Sequence, residues 1–128
     1  MEEALVARVV AAATPAGDSV SFFDRQRGDP LPAITLLTIT PGEDWNHAGP
    51  TGLDEPRVRF DCYADSDEGA LALKRAVRAE MRQARETGGV RFHPAELVAE
   101  RWLPDGEQDG GQAVFRIQLE FLFFHEEI

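Results

Sequence analysis

Alternation and helical spacing divide the chain into short periodic segments separated by turn-forming residues. Residues 57–63 alternate cleanly: Val58, Phe60 and Cys62 fall on one face and Arg57, Arg59, Asp61 and Tyr63 on the other, the period-two pattern of a half-buried strand. The period then changes. Over residues 67–86, Ala70, Leu73, Val77, Met81 and Ala84 form one apolar helical stripe, and Gly88-Gly89 supplies a stop. Asp65 with Glu68 has the spacing of a capping box, and Ser66 is an equally good N-cap. Residues 2–13 predict a shorter helix, with Leu5, Val9 and Ala12 in register, acidic residues in the first turn and Pro15 ending it. Residues 19–23 predict a brief strand, and 32–40, rich in β-branched side chains, a better one.

A run of about fifteen residues from Pro41 to Pro56 carries glycines and prolines and few aliphatics, and is expected to be a loop that is either functional or disordered. Residues 90–102 read as extended but broken at Pro94, the mark of an edge strand or bulge. A hairpin loop is expected over 105–112. In the last strand, 113–125, Phe115, Ile117, Leu119, Phe121 and Phe123 fill one face, and near its end both faces turn apolar, as in a sheet covered on both sides. The predicted order α-β-β-β-α-β-β implies an α+β fold: a two-layer sandwich with a mostly antiparallel sheet of about four to five strands and two helices. We expect one domain over 1–128, with no internal repeat.

Composition narrows the class. The chain has 128 residues, 43% hydrophobic and 28% charged, with 13 Lys+Arg against 23 Asp+Glu and a net charge of −10. That sign disfavours a whole-surface nucleic-acid binder or an attachment to anionic membrane. No run is long and apolar enough to span a bilayer, and the acidic start does not resemble a leader peptide, so a soluble intracellular location is expected. The single cysteine, Cys62, can form no internal disulfide and no thiolate metal site, and on the apolar face of a strand it reads as a small hydrophobe.

Candidate chemistry is sparse. There is no nucleophile elbow, phosphate-binding loop or dinucleotide fingerprint. His125-Glu126-Glu127 resembles a metal fragment, but neighbours in an extended chain point to opposite faces. Glu43-Asp44 with Asn46-His47 places carboxylates and an imidazole in one loop; the competing reading is a solvated loop anchored by Trp45. No catalytic residue, metal or cofactor is expected, and the chain is read as a non-enzyme.

Charge distribution is more informative. Residues 74–101 hold seven basic against four acidic residues, a net of +3; the rest holds six against nineteen, a net of −13. Arg75, Arg78, Arg82 and Arg85 lie three, seven and ten residues apart, which predicts one stripe on the second helix. Such a stripe on an acidic body is either a solvated face or a docking surface for an acidic patch of a neighbouring copy.

The middle of the chain carries a resemblance. Gly49-Pro50-Thr51-Gly52-Leu53, the strand Arg57-Val58-Arg59-Phe60-Asp61-Cys62-Tyr63-Ala64, and the helix Asp67-Glu68-Gly69-Ala70-Leu71-Ala72-Leu73-Lys74-Arg75-Ala76-Val77-Arg78 resemble the tail-terminator family. These are tail-completion, head-tail joining proteins of siphoviruses, prophages and gene-transfer particles. The distinctive parts are the Gly-Pro-x-Gly-Leu loop and the Arg-Val-x-x-Asp-x-Tyr strand; the first forty residues depart, with residues 19–27 replacing the family's usual Tyr-Pro strand.

The resemblance implies a structural virion protein, made in the host cytoplasm. It would form a homo-hexameric ring at the tail-head junction that caps the tail tube and ends its polymerisation. Its implied partners are itself, the tail tube protein and the head-completion (stopper) protein, with DNA passing through without specific binding and no membrane involved. Arg75, Arg78, Arg82 and Arg85 are then ring-interface candidates. Asp44, Trp45, Asn46 and His47 are candidates for partner contact, and the 41–56 loop and the 105–112 hairpin are expected to reach neighbouring rings. Three alternatives stand beside this reading: a stopper protein, a small ligand- or metal-binding domain using the 41–56 loop, and an acidic regulator of a basic host protein.

Overall fold

The computed structural model describes the chain except residues 1, 13, 18, 23–30, 41–42, 47–48, 55, 110–111 and 128; for 40, 43–46, 49–54, 104–109, 112–113 and 127 it describes the backbone only. The elements in order are α1 (Glu2–Ala11), β1 (Val20–Phe22), β2 (Ala33–Thr40), β3 (Glu43–Asn46), β4 (Gly49–Asp54), β5 (Arg57–Ala64), α2 (Asp67–Met81), β6 (Arg85–Thr87), β7 (Val90–Phe92), β8 (Glu96–Asp109), β9 (Gln112–Leu122) and β10 (His125–Glu127). This is an α+β fold. Its strands form two sheets, ordered β1-β2-β5-β9-β8 and β3-β4-β10-β7-β6. Among the described residues only β1 with β2 pairs in parallel.

In the first sheet the expected alternation positions the core. Cys62 faces Ile117 across the ladder, Phe60 faces Leu119 and Val58 faces Phe121, and all six are buried. The α2 stripe Ala70, Leu73, Val77 and Met81 covers this face. Phe60 meets Phe121 edge-on at 5.4 Å and stacks on Phe123 at 6.1 Å, and Phe92 of the second sheet meets Phe123 edge-on at 6.3 Å. The α2 N-terminus is capped by Ser66, whose hydroxyl accepts the Gly69 N–H at 3.0 Å.

Several boundaries differ from the pattern-based expectation, each for a tertiary reason. Helix α2 ends at Met81, and Ala84 is exposed beyond it. Its last carbonyls are taken from outside: Arg8 donates to those of Glu80 (2.8 Å) and Gln83 (2.7 Å), and the Ala95 N–H donates to that of Met81 (2.8 Å). Gly88 and Gly89, both at positive φ (59° and 78°), make the two-residue turn of the β6–β7 hairpin instead of stopping the helix. The 41–56 segment contains a hairpin, β3 on β4, joined to β10. The 105–112 loop is a continuation of the β8–β9 ladder, pairing Glu107 with Val114 and Asp109 with Gln112.

At Pro94 the chain leaves β7 in one sheet and enters β8 at the edge of the other. The doubly apolar end of the last strand has a related cause: β9 stops at Leu122, and Phe123-Phe124 carry the chain into β10 of the second sheet. The Phe123 N–H donates to the Pro56 carbonyl and the His93 N–H to the Phe124 carbonyl, both at 2.8 Å. Finally, Asp61 and Tyr63, expected on a solvent face, are buried. Asp61 accepts from Arg59 (3.3 Å) and Arg116 (3.1 Å), the Arg116 guanidinium lies 5.3 Å over the Tyr63 ring, and Tyr63 joins Ala33 and Val114 in a small second cluster.

Candidate functional site

The basic residues singled out in the sequence do not form one helical stripe. Arg75 and Arg78 lie on α2, Arg82 is its C-terminal cap residue, and Arg85 is the first residue of β6. Their electrostatic situations differ as well. Arg85 donates to both carboxylate oxygens of Glu80, at 2.8 and 3.3 Å, and this raises its own pKa. Arg78 lies 3.9 Å from Glu100. Arg75 and Arg82 are exposed and make no ion pair among the described residues.

A side-chain cluster that the sequence reading missed joins α2 to the edge strand β8. Glu100 and Trp102 are two residues apart on β8 and pair with Leu119 and Ile117 of β9, so both point toward the α2 layer at the sheet margin. The Lys74 ammonium lies 3.1 Å from Glu100 Oε2 and 5.0 Å over the Trp102 ring. The Trp102 indole N–H donates to the same oxygen at 3.0 Å. That hydrogen bond first, then Lys74 and Arg78, outweigh partial burial and hold the Glu100 carboxyl below the usual carboxylate range. Although held on these sides, Trp102 remains 47% exposed. The i, i+2 spacing of Glu100 and Trp102 was the available signal; that Lys74 sits above them was not readable.

A second missed residue is Arg8. It falls three and four positions after Leu5 and Ala4, inside the apolar side of α1, and is 2% exposed. Besides its two carbonyl contacts, it reaches Glu80 Oε1 at 3.2 Å and lies 5.2 Å over the Phe92 ring. Burial pulls its pKa below the ordinary arginine value, and Glu80 opposes this in part. Burial of Glu80 acts against its charge, but the hydrogen bonds from Arg85 and Arg8 hold its carboxyl below the usual range.

Cys62 is fully buried on the core face, and desolvation, with Asp61 adjacent, pushes its thiol up to about 12, so it is not a nucleophile. The backbone of Asp44, Trp45 and Asn46 lies in β3, where Trp45 pairs with Pro50 and Asn46 with Gly49; their side chains, and His47 altogether, lie outside the described residues. His125 is buried, 6.1 Å from the Phe92 ring centroid, while the Glu126 carboxylate is turned outward to Arg91 at 3.1 Å. Among the described residues no group of three or more His, Cys, Asp or Glu side chains is arranged to hold a metal ion, and no helix is long and apolar enough to cross a membrane. Arg59, Ala99, Glu100, Arg101, Gln118 and Glu120 line an open depression of about 310 Å³ at the β8 margin.

No family model matches the chain, and no curated protein does. A solved structure does: a chain of the virion of a native gene transfer agent particle, with a TM-score of 0.61 at 16% identity over 97% of this chain and 96% of that one. The two share a fold. At that identity the likeness concerns architecture, and it extends over both sheets and both helices.

Proposed function

We propose that this chain is a structural subunit of a phage-like particle, and more specifically a tail terminator: a non-enzymatic protein that closes into a ring, caps the tail tube and joins it to the head connector. The observation that carries the reading is the end-to-end likeness of fold to a gene transfer agent virion chain. The Gly49–Leu53 run, which lies in β4, and the Arg57–Ala64 strand, both of which resemble the tail-terminator family, support it independently. The surface agrees in kind: its prominent features are cations and an exposed aromatic on α2 and β8, which suit protein–protein contact.

Ring closure in this reading is head-to-tail, with the basic surface of one copy meeting acidic segments of the next. Of the four arginines, Arg75 and Arg82 are open to carry it, while Arg85 serves Glu80 within its own chain. The β3–β4 hairpin, with Asp44, Trp45, Asn46 and His47, is the segment assigned to the adjoining ring of tube or connector. The net charge of −10 keeps the passing duplex from adhering.

The test is assembly of purified tail tube protein with and without this chain, read by negative-stain electron microscopy. The expected result is a closed ring at one end of each tube, of about six copies as the resemblance to the tail-terminator family implies, and an arrest of elongation. Binding to the head connector with no effect on tubes would identify a stopper instead. Tubes that grow unchanged, with no ring on either partner, would refute the reading.

A further inference from the structure

The cluster on the margin of the first sheet has a composition that its place in the fold does not require. A tryptophan on an edge strand, 47% exposed, is normally a liability. Here the ring is fixed from two directions, by Lys74 above its face and by the Glu100 carboxylate at its indole N–H. A side chain already held in one orientation loses little conformational freedom when a partner covers it. Tryptophan flanked by cations is also the residue pattern that concentrates binding energy at protein interfaces. Lys74 contacts it directly, and Arg78, one helical turn further on, approaches the same Glu100 carboxylate at 3.9 Å.

The complementary segment is in the same chain. Residues 104–112 contain Asp105, Glu107 and Asp109, alternating in sequence, and no basic residue. They continue the strand that carries Trp102, and β9 runs five residues from Ile117, the ladder partner of Trp102, to Gln112. At about 3.4 Å per residue that places the hairpin end about 17 Å from the tryptophan along the strand axis. One ladder therefore carries a cationic aromatic surface and, displaced along it, an acidic segment of matching charge. Two different surfaces on one subunit, each complementary to the other, make a heterologous contact, the kind that closes rings.

We propose that the surface formed by Trp102, Lys74 and Arg78 is the docking site for the acidic 105–109 hairpin segment of a second copy of this chain. The inference rests on the self-associating reading above and names which surfaces meet within it. It also gives the 105–112 hairpin a lateral role, in contrast to the β3–β4 hairpin. Trp102 supplies the desolvated anchor, and the cations steer and orient the incoming strand, so association weakens as salt is raised.

Two full-length variants that leave every proposed charge in place, Leu71→Cys, one helical turn before Lys74 on the same face of α2, and Gln108→Cys, in the acidic segment, test this. The buried Cys62 thiol stays silent toward cross-linkers, so each variant has one reactive position. The variants are mixed, as free protein and with tail tubes, treated with a short bis-maleimide, and separated on denaturing gels. The expected result is a covalent dimer in the mixture that neither variant forms alone, and at least a fivefold loss of it when Trp102→Ala is added to both. Trp102 is at the surface, so circular dichroism of that variant is expected to match the parent. Rings or capped tubes that form without the 71–108 cross-link, or with undiminished yield in Trp102→Ala, would overturn the docking and leave the ring reading standing. Absence of any assembly, free or on tubes, would overturn both.

Discussion

Replacing Arg8 tests whether the first helix is fastened to the fold through the end of the second. Arg8 makes two charge-assisted bonds to the carbonyls of Glu80 and Gln83, an ion pair with Glu80 and a contact with the Phe92 ring. Each bond from a charged donor is worth about 1.5 kcal/mol at the low end of its range. The ring contact adds about 1 kcal/mol. The Glu80 bond adds less, since Arg85 still pairs with that carboxylate; about 1 kcal/mol is a fair allowance. Against this total of about 5 kcal/mol, Arg8→Ala removes a desolvated guanidinium, one of whose nitrogens, Nη1, has no hydrogen-bond partner in the described structure, which returns about 2 kcal/mol.

The expected net loss for Arg8→Ala is about 3 kcal/mol, in line with breaking one side of a buried pair. With a urea m-value of about 1.5 kcal/mol per molar, the unfolding midpoint falls by about 2 M. Arg8→Met keeps most of the hydrocarbon stem and loses the carbonyl contacts, so its midpoint should lie between the two. The assay is equilibrium urea unfolding followed by circular dichroism at neutral pH. A midpoint shift below about 0.5 M for Arg8→Ala, or wild-type stability of Arg8→Met, would refute the claim that carbonyl capture by the guanidinium fastens the helices.

Three further outcomes follow from the same contacts. Cys62, with its thiol near 12 and no exposure, should react with a thiol reagent at pH 8 only as fast as the chain unfolds, so reaction rate should track urea concentration; a fast reaction of the native chain would contradict its burial. The Glu80 carboxyl titrates lower in the folded chain than in the unfolded one, so its contribution to stability is present above the unfolded value of about 4.3 and is lost as pH falls through the folded value. The acid limb of stability against pH should therefore be shallower in Glu80→Gln, and an unchanged slope would reject the assignment. Gly88→Ala forces a side chain at φ +59° against the Ala4 Cβ at 3.3 Å and should cost about 1–2 kcal/mol, whereas Gly89→Asn, with open space around it and a residue that tolerates that conformation, should cost less; equal thermal melts for the two would argue against the turn.

What was legible in the sequence was whatever local periodicity controls. Val58, Phe60 and Cys62 announced their strand, and Ala70, Leu73, Val77 and Met81 their helix, because a single buried face imposes each period. What was not legible depends on residues far apart in the chain. The end of α2 is set by Arg8, 72 positions before Glu80, and no local signal marks it. Asp61 is buried because Arg116, 55 positions later, arrives beside it. The four arginines looked like one stripe only while the helix was assumed to continue to Glu86; ending it at Met81 sends Arg85 into β6, and no helical pattern could connect Lys74 to Trp102 on β8. The 41–56 segment lacks alternation, and its hairpin is organised by pairing with β10 from the other end of the chain.

The passage of the chain from β9 through Phe123 into β10 has a mechanical consequence. The strand next to the edge of the first sheet and the middle strand of the second are a single covalent thread, and the β3–β4 hairpin hangs on that thread through Asp54 and His125. At the junction Phe123 is wedged among Phe60, Phe92 and Phe121, with no slack to absorb displacement. A load applied at the hairpin by whatever binds there is therefore delivered through backbone into the densest part of the core. The route from the hairpin by way of β10 to the first sheet runs through the phenylalanine cluster.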